Sequence, residues 1–355
     1  MTKFADRDFD NSVEGLSAIV QEYNSLQATM STLSGQLAGH TTSRTDLQRA
    51  EHAKAILAEL DVNPRMSESL ANVMRPTFGY SYRTQRMAAW AISQAARLSP
   101  VRYLPQKDIG RQFSQAIGLQ LPRMYQEGAP HNLIEIPEAA VVKPLREDGG
   151  RAVHGFRRTG SGFSDLFNNK SYSSIDDVRL HLKEHLDIKR VRQDAWIVEE
   201  MIVPDSGNPA GSFDLKFFTF YGRVAYVLQV ARWRDEGVQR VIFDRDGKAV
   251  NASKFYPRPD TDVLPAFTPA DIKVAEQVSL EIPWPGARID FLTSSRGMIF
   301  GEFTFNPGAY GGFYKESDSF LGREWAHAAG RLYDDLMAGK EFRAYKELLK
   351  SLGNT

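Results

Sequence analysis

Two short segments near the C-terminus place carboxylates where a metal would need them. In ARIDFL, residues 287–292, Arg288 and Asp290 stand two apart, and in MIFGEFTFNPG, residues 298–308, Glu302, Thr304 and Asn306 repeat that spacing. Residues two apart on a strand share a face. Each segment therefore reads as a greasy strand with one polar row, Ile289 and Phe291 in the first and Phe303 and Phe305 in the second taking the other face. A three-residue loop of Ser295, Arg296 and Gly297, its glycine in the left-handed position, would join the strands into a hairpin and set Asp290 directly opposite Glu302. Facing carboxylates repel unless a cation or a shared proton lies between them. Hard oxygen ligands of this kind suit Mg2+, which also takes phosphate oxygens from a nucleotide. The plainer alternative is that one acid pairs with Arg288 while the other is solvated. The NPGAYGG tail adds glycine-rich backbone able to approach a phosphate closely.

Cations come from two other segments. AVVKPLREDGGRAVHGF, residues 140–156, puts Lys143 at the end of an apolar run, followed by a glycine-bearing loop and further glycines to Gly162. A lysine issuing from a buried strand is a point charge suited to phosphate, although a strand-end lysine more commonly snorkels to water. The loop reads either as a lid over phosphates or as a surface hairpin. In FDLKFFTFYGRVAYVLQVARW, residues 213–233, Asp214 and Lys216 share one face and the second strand ends at Arg232 and Arg234. Such a row needs an anion. Triphosphate is one candidate, and a local Asp214–Lys216 pair is the alternative. WIVEEMIVP, residues 196–204, is a strand leading to a linker whose backbone could bond an adenine edge, with Glu199, Glu200 and Asp205 near a ribose.

The elements that position these residues are of two textures. From Val13 to Leu37 apolar residues recur every three or four positions, as in an amphipathic helix, and residues 47–60 and 84–98 repeat the pattern. The first hundred or so residues are expected to be mainly helical, packing as core or between copies of the chain, with a homodimer through these helices in view. After Leu98 short β-rich runs dominate, and helical patterns are confined to roughly 107–118, 175–186, a segment from Pro269 and two from Leu321 onward. Strands without regular βα alternation predict an α+β fold with antiparallel sheet.

Bulk properties fit a globular protein with a small or neutral partner. At 355 residues, 42% hydrophobic and 25% charged, the chain has the composition of a globular protein of two or three subdomains. Lys plus Arg equals Asp plus Glu at 44 each, so no basic field would recruit nucleic acid or an anionic membrane. The absence of cysteine removes disulfides, thiolate metal sites and thiol nucleophiles. The start carries acids where a secretory signal would be basic then apolar, and no run nears the ~18 apolar residues of a membrane span, so a cytoplasmic protein is expected.

In their order along the chain these parts resemble the ATP-grasp superfamily, and more narrowly its TupA-like branch, associated with teichuronic acid and other polysaccharide biosynthesis. The resemblance runs from about Lys107 to about Gly322 through KDIGRQFSQAIGLQLPRMY, VVKP with its glycine-rich loop, VEEMI, DLKFFTFYGRV, RIDF and GEFTFNPG. It implies an ATP-grasp fold in which two α+β subdomains, a lid at about 137–200 and a sheet subdomain at about 201–355, sandwich the nucleotide. Residues 101–355 would form this domain, behind a helical region at 1–100 that replaces the small α/β domain most members carry. It further implies that Lys107 and Lys143 are the nucleotide lysines, that Glu199, Glu200, Met201 and Ile202 form the adenine hinge, and that Lys216 contacts phosphate. Asp290 and Glu302 become magnesium ligands, joined by Asn306, while Arg232 and Arg288 become candidates for the acyl-phosphate pocket. Many members have Asn two residues after the metal-binding Glu; here that position is Thr304, and Asn306 lies two further on. The implied activity is carboxylate–amine ligation with Mg2+ and ATP, releasing ADP and phosphate. Competing readings are a sugar or metabolite kinase and a nucleotide-binding module without catalysis; the paired carboxylates favour catalysis.

Overall fold

The computed structural model describes residues 80–147, 150–202, 212–231, 238–258, 263–308 and 310–353. The helices expected at 13–37 and 47–60, and with them a homodimer through those helices, lie outside the described residues. Three helices open the described chain: α1 (Tyr82–Ala95), α2 (Pro100–Tyr103) and α3 (Lys107–Ala116). Ser81 starts α1 by accepting from the Thr84 backbone N–H at 3.3 Å. Its hydroxyl also donates to Asp318 at 2.7 Å, which ties this helix to the C-terminal part of the chain.

Eleven strands follow in two wholly antiparallel sheets, giving the α+β architecture expected from the missing βα alternation. The first sheet has six strands: β1 (Met124–Ala129), β2 (Ala139–Pro144), β3 (His154–Thr159), β4 (Gly162–Asp165), β5 (Lys170–Tyr172) and β6 (Trp196–Glu200). Their order is β1-β6-β2-β3-β4-β5, so β1 extends this sheet N-terminal of the lid boundary expected at about 137. Helix α4 (Ile175–Asp187) is capped by Ser174, which accepts from the Asp177 N–H, and buries Val178 and Leu182 with Val142, Phe156, Trp196 and Val198 of the sheet. Strand alternation sends Val141, Lys143, Ile197 and Glu199 to the other face, where they line a cleft.

The second sheet has five strands: β7 (Phe213–Thr219), β8 (Val224–Ala231), β9 (Gln239–Asp244), β10 (Ala287–Ser294) and β11 (Gly297–Thr304), in the order β11-β10-β7-β8-β9. Strand β8 is buried along its whole length, so both faces of the sheet are covered at its centre. Helix α5 (Pro269–Leu280) begins in a capping box of Thr268 and Asp271 and sets Ile272, Ala275 and Val278 into the core. Helices α6 (Lys315–Met337) and α7 (Arg343–Ser351) close the same core with Leu321, Trp325, Tyr345 and Leu348. Phe113 of α3 meets Phe303 of β11 edge to face at 5.7 Å between centroids, fixing the helix that carries Lys107 against the strand that carries Glu302.

Candidate active site

The β10–β11 hairpin does set Asp290 opposite Glu302, by a different route from the expected one. Ser294 pairs with Gly297, so the turn holds two residues, Ser295 and Arg296, with Gly297 at φ +91° just beyond them. Carried on regularly, that register would face Asp290 with Gly301 and send Glu302 opposite Ile289, on the core side. A bulge corrects it. Phe291 pairs with Phe300 and Asp290 with Glu302, leaving Gly301 as the extra residue, which returns Glu302 to the polar face.

Asp290 is 3% exposed and sits between two cations. Its Oδ1 accepts from Arg288 Nε at 2.7 Å, and its Oδ2 accepts from Arg288 Nη2 at 2.7 Å and Lys216 Nζ at 2.6 Å. Lys216, its cross-strand neighbour on β7, also donates to Asp214 at 2.8 Å. Burial alone would raise the Asp290 carboxyl, but the Lys216 and Arg288 charges outweigh it and hold the group below the usual carboxylate range. Burial would likewise lower the Lys216 ammonium, and the Asp290 and Asp214 charges hold it above its ordinary value. Glu302 is different. Its side chain is 52% exposed to the cleft, and desolvation there, reinforced by the Asp290 charge, pushes its carboxyl above the ordinary range. Its Oε1 lies 3.4 Å from Arg288 Nη2 and accepts from Thr304 Oγ1 at 3.3 Å. The Arg288–Asp290 pair that the sequence offered as the plainer alternative is thus present, with Glu302 beside it.

Asp214, Lys216, Asp290 and Glu302 line one cleft of about 520 Å³ between the two sheets. Lys107, Lys143, Glu199, Glu200, Met201 and Ile202 border it, and Lys216, Asp290 and Glu302 face them from the second sheet. Lys143 of β2 pairs with Glu199 of the neighbouring β6, on the diagonal from its register partner Ile197. Lys107 donates to the carbonyl oxygens of Pro144, at 2.9 Å, and Glu147, so it fastens the loop that follows β2. Glu200 is tied at both oxygens, accepting from the Arg123 backbone N–H at 3.0 Å and from Arg296 of the hairpin turn at 2.6 Å. Of the expected hinge, then, Glu199 and Glu200 use their carboxylates for protein contacts, while Met201 and Ile202 border the cleft beside them.

One expected metal ligand is not brought to the pair. Asn306 does not line the cleft, and its Oδ1 accepts from Arg86 of α1, because the chain has left the strand after Thr304. Arg232 lies outside the described residues. Thr304 stays on the polar face, its hydroxyl accepting from Arg288 Nη2 at 3.0 Å. Sequence reasoning missed Phe167 and Asn168, which line the cleft from the β4–β5 connection. Gly155 gives their signal in part: a Cβ there would come within 2.4 Å of the Phe167 ring, so only glycine lets the ring lie over β3.

The donor set fits a hard divalent cation with a polyanion. A carboxylate offers about four lone-pair sites. Three at Asp290 are taken, one on Oδ1 remains, and Glu302 Oε2 has no hydrogen-bond partner among the described residues. Asp290 and Glu302 would hold such a cation, and the ammonium groups of Lys143 and Lys216 would face phosphate oxygens.

A family model described as TupA-like ATPgrasp matches residues 89–326, about two thirds of the chain. No curated protein matches the sequence. Among solved structures, D-alanine–D-alanine ligase from Bacillus anthracis is similar at 12% identity and a TM-score of 0.38, over 65% of this chain and 69% of that one. A RimK domain ATP-grasp protein from Sphaerobacter thermophilus is similar at 14% identity and 0.38, over 66% and 69%. The ATP-grasp ligase PsnB, solved with a precursor variant, Mg and ADP, is similar at 8% identity and 0.37, over 83% and 75%.

Proposed function

Because the chain belongs to the TupA-like ATP-grasp family, we propose that it is a Mg2+- and ATP-dependent carboxylate–amine ligase that forms an amide bond through an acyl phosphate. The observation that carries this reading is the convergence of Lys143, Lys216, Asp290 and Glu302 on one cleft between two sheets. In this reading the lid, about 137–200, and the sheet subdomain, about 201–355, enclose the nucleotide, with adenine against the backbone of 200–202. The substrates are a small carboxylic acid and an amine, in polysaccharide or specialised-metabolite biosynthesis.

The residues have distinct parts in the reaction. Lys143, oriented by Glu199, and Lys216, oriented by Asp214, hold phosphate oxygens of ATP. Asp290 and Glu302 hold Mg2+, which when bound neutralises charge on the triphosphate. Arg288, fixed by Asp290, presents its Nη2 toward Glu302 and Thr304, where it meets the acid and the phosphoryl group passing to it. Arg232 is assigned to the same pocket. An oxygen of the acid attacks the γ-phosphorus, the bond to the β–γ bridging oxygen breaks and ADP leaves. The amine then attacks the acyl carbon, inorganic phosphate leaves with that acid oxygen, and the proton of the amine passes to solvent. A mixed anhydride opens to a neutral amine without a strong base. Positioning and charge neutralisation therefore suffice.

Product analysis with panels of acids and amines tests the assignment. The expected result is ADP and phosphate, formed only when both an acid and an amine are present, together with an amide. A phosphate ester on a hydroxyl would establish the kinase instead, and AMP with pyrophosphate would exclude an acyl phosphate.

A further inference from the structure

On the face of the first sheet away from the cleft lies a second cluster of ligating side chains that the ligase chemistry does not use. His181 and His185 are four residues apart on α4 and so share one face of the helix. His154 opens β3 directly opposite. One ring nitrogen from each of the three comes within 4.8 Å of those of the other two. His154 and His185 are 2% and 6% exposed, and the His181 side chain 13%. We propose that His154, His181 and His185 form a binding site for a divalent transition-metal ion of the zinc class.

The geometry supports the assignment at three levels. His154 Nε2 and His185 Nε2 are 3.2 Å apart; two nitrogens on one tetrahedral zinc, each at about 2.0–2.1 Å, lie roughly 3.3 Å from one another. Behind them are the carboxylates that metal-bound histidines characteristically use. His154 Nδ1 faces Asp165 Oδ2 at 2.7 Å and His181 Nδ1 faces Glu184 Oε2 at 2.9 Å, which keeps a proton on each Nδ1 and turns the Nε2 lone pair toward the cluster. Asp165 is itself fixed, accepting from the Gly155 and Phe167 backbone N–H groups at 3.1 Å each and from Asn168 Nδ2 at 2.7 Å. Finally, two buried polar atoms at the cluster have no hydrogen-bond partner among the described residues, His185 Nδ1 and the hydroxyl of Tyr172, whose ring is 5.4 Å from that of His181. Three protein nitrogens leave a fourth position to solvent, and water held there would be a partner for such a group.

The ligand type separates this site from the cleft. Neutral imidazoles suit Zn2+, Cu2+ and Ni2+, whereas Mg2+ takes oxygen ligands. The ion would clamp three parts of the lid together: the start of β3, the β4–β5 connection through Asp165, and α4. Val153, Phe167 and Asn168 of those same segments line the cleft, so the clamp would steady one of its walls.

The competing arrangement is a hydrogen-bonded chain in which His185 Nε2–H donates to His154 Nε2. Stripping the full chain with a chelator and titrating it with Zn2+, then with Co2+, in the absence of nucleotide separates the two. The expected result is one equivalent of Zn2+ per chain, visible Co2+ bands of a four-coordinate nitrogen site, and a Tm raised by roughly 5 °C at a hundredfold excess over Kd. His181→Ala, at the least buried of the three positions, should weaken Zn2+ binding at least tenfold while keeping the parent circular dichroism, and Asp165→Asn should weaken it about tenfold. Glu302→Gln, a change in the cleft, should leave Zn2+ binding as it is. Folded parent chain that takes up no Zn2+, or folded His181→Ala that binds it as tightly as the parent, would overturn the proposal.

Discussion

The two sheets that face each other across the cleft are held by different means. The β7–β11 sheet rests on a core of 40 buried side chains among the described residues, rich in phenylalanine, whereas the β1–β6 sheet has 12. The larger core can carry a buried charge cluster, Asp290 with Lys216 and Arg288, because its strands are pinned on both faces by α3, α5 and α6. The smaller one is fastened by polar contacts: the Lys107 bonds to the β2–β3 loop, the Glu147–Arg192 pair and the Asp165–histidine cluster. Small cores leave little stability to spare. On the proposed reaction, the sheet with the larger core holds the charges that attend phosphoryl transfer, and the sheet with the smaller core carries the wall that admits and releases a nucleotide.

The comparison breaks most readily at Asp290. Asp290→Ala leaves Lys216 and Arg288 buried without their shared anion and should cost about 3–5 kcal/mol of global stability in urea unfolding; a loss below about 1 kcal/mol would mean that the large core does not depend on the cluster. Glu302→Gln sharpens the same point. Its carboxyl is half exposed, so stability should hold while turnover falls by roughly 10²–10³-fold or more and ATP binding survives, as measured by kinetics beside nucleotide titration. On the β1–β6 sheet, Lys143→Ala should weaken ATP binding by about 1.5–3 kcal/mol without global unfolding, and Lys216→Ala should match it in affinity while also loosening the charge cluster. Unchanged nucleotide affinity in both would return these lysines to purely structural ion pairs.

The smallest effect concerns pH. Hydrogen bonding from Arg192, at 3.0 Å from its backbone N–H and 3.1 Å from Nε, holds the Glu147 carboxyl below its ordinary value. A depressed carboxyl contributes stability that is fully present above the unfolded value, about 4.3, and is lost as pH falls through the folded one. Parent protein should lose no more than about 1 kcal/mol over that interval from this group, because Arg192 is largely exposed. Glu147→Gln should remove that part of the pH dependence; an unaltered profile would show that the pair contributes nothing to the lid.

Much of the cleft was legible because strand periodicity reports faces. The rows Asp214–Lys216, Arg288–Asp290 and Glu302–Thr304 could be read from spacing alone, and all three stand on one sheet surface. Loop geometry was less legible. The two-residue turn and the bulge at Gly301 offset each other, so the facing of Asp290 and Glu302 was anticipated through a loop that does not exist in that form. Partners distant in sequence left no local trace: neither the Lys143–Glu199 pair nor the Arg86 contact to Asn306 has a spacing to betray it. The histidine cluster lies between these cases. The four-residue spacing of His181 and His185 is visible on a predicted helix, but His154 joins them only through the way β3 packs against α4.

In the proposed reaction the phosphoryl group passes to a carboxylate oxygen, and the amine then opens the acyl phosphate. Once an acid substrate has been found, the reaction is run with that acid carrying ¹⁸O in its carboxyl group, and the released phosphate is examined by mass spectrometry. An acyl phosphate leaves one acid oxygen on phosphorus, so one ¹⁸O is expected per molecule of inorganic phosphate formed in step with the amide. Amide formation with unlabelled phosphate, or label retained wholly in the acid while phosphate appears on a hydroxyl, would contradict it.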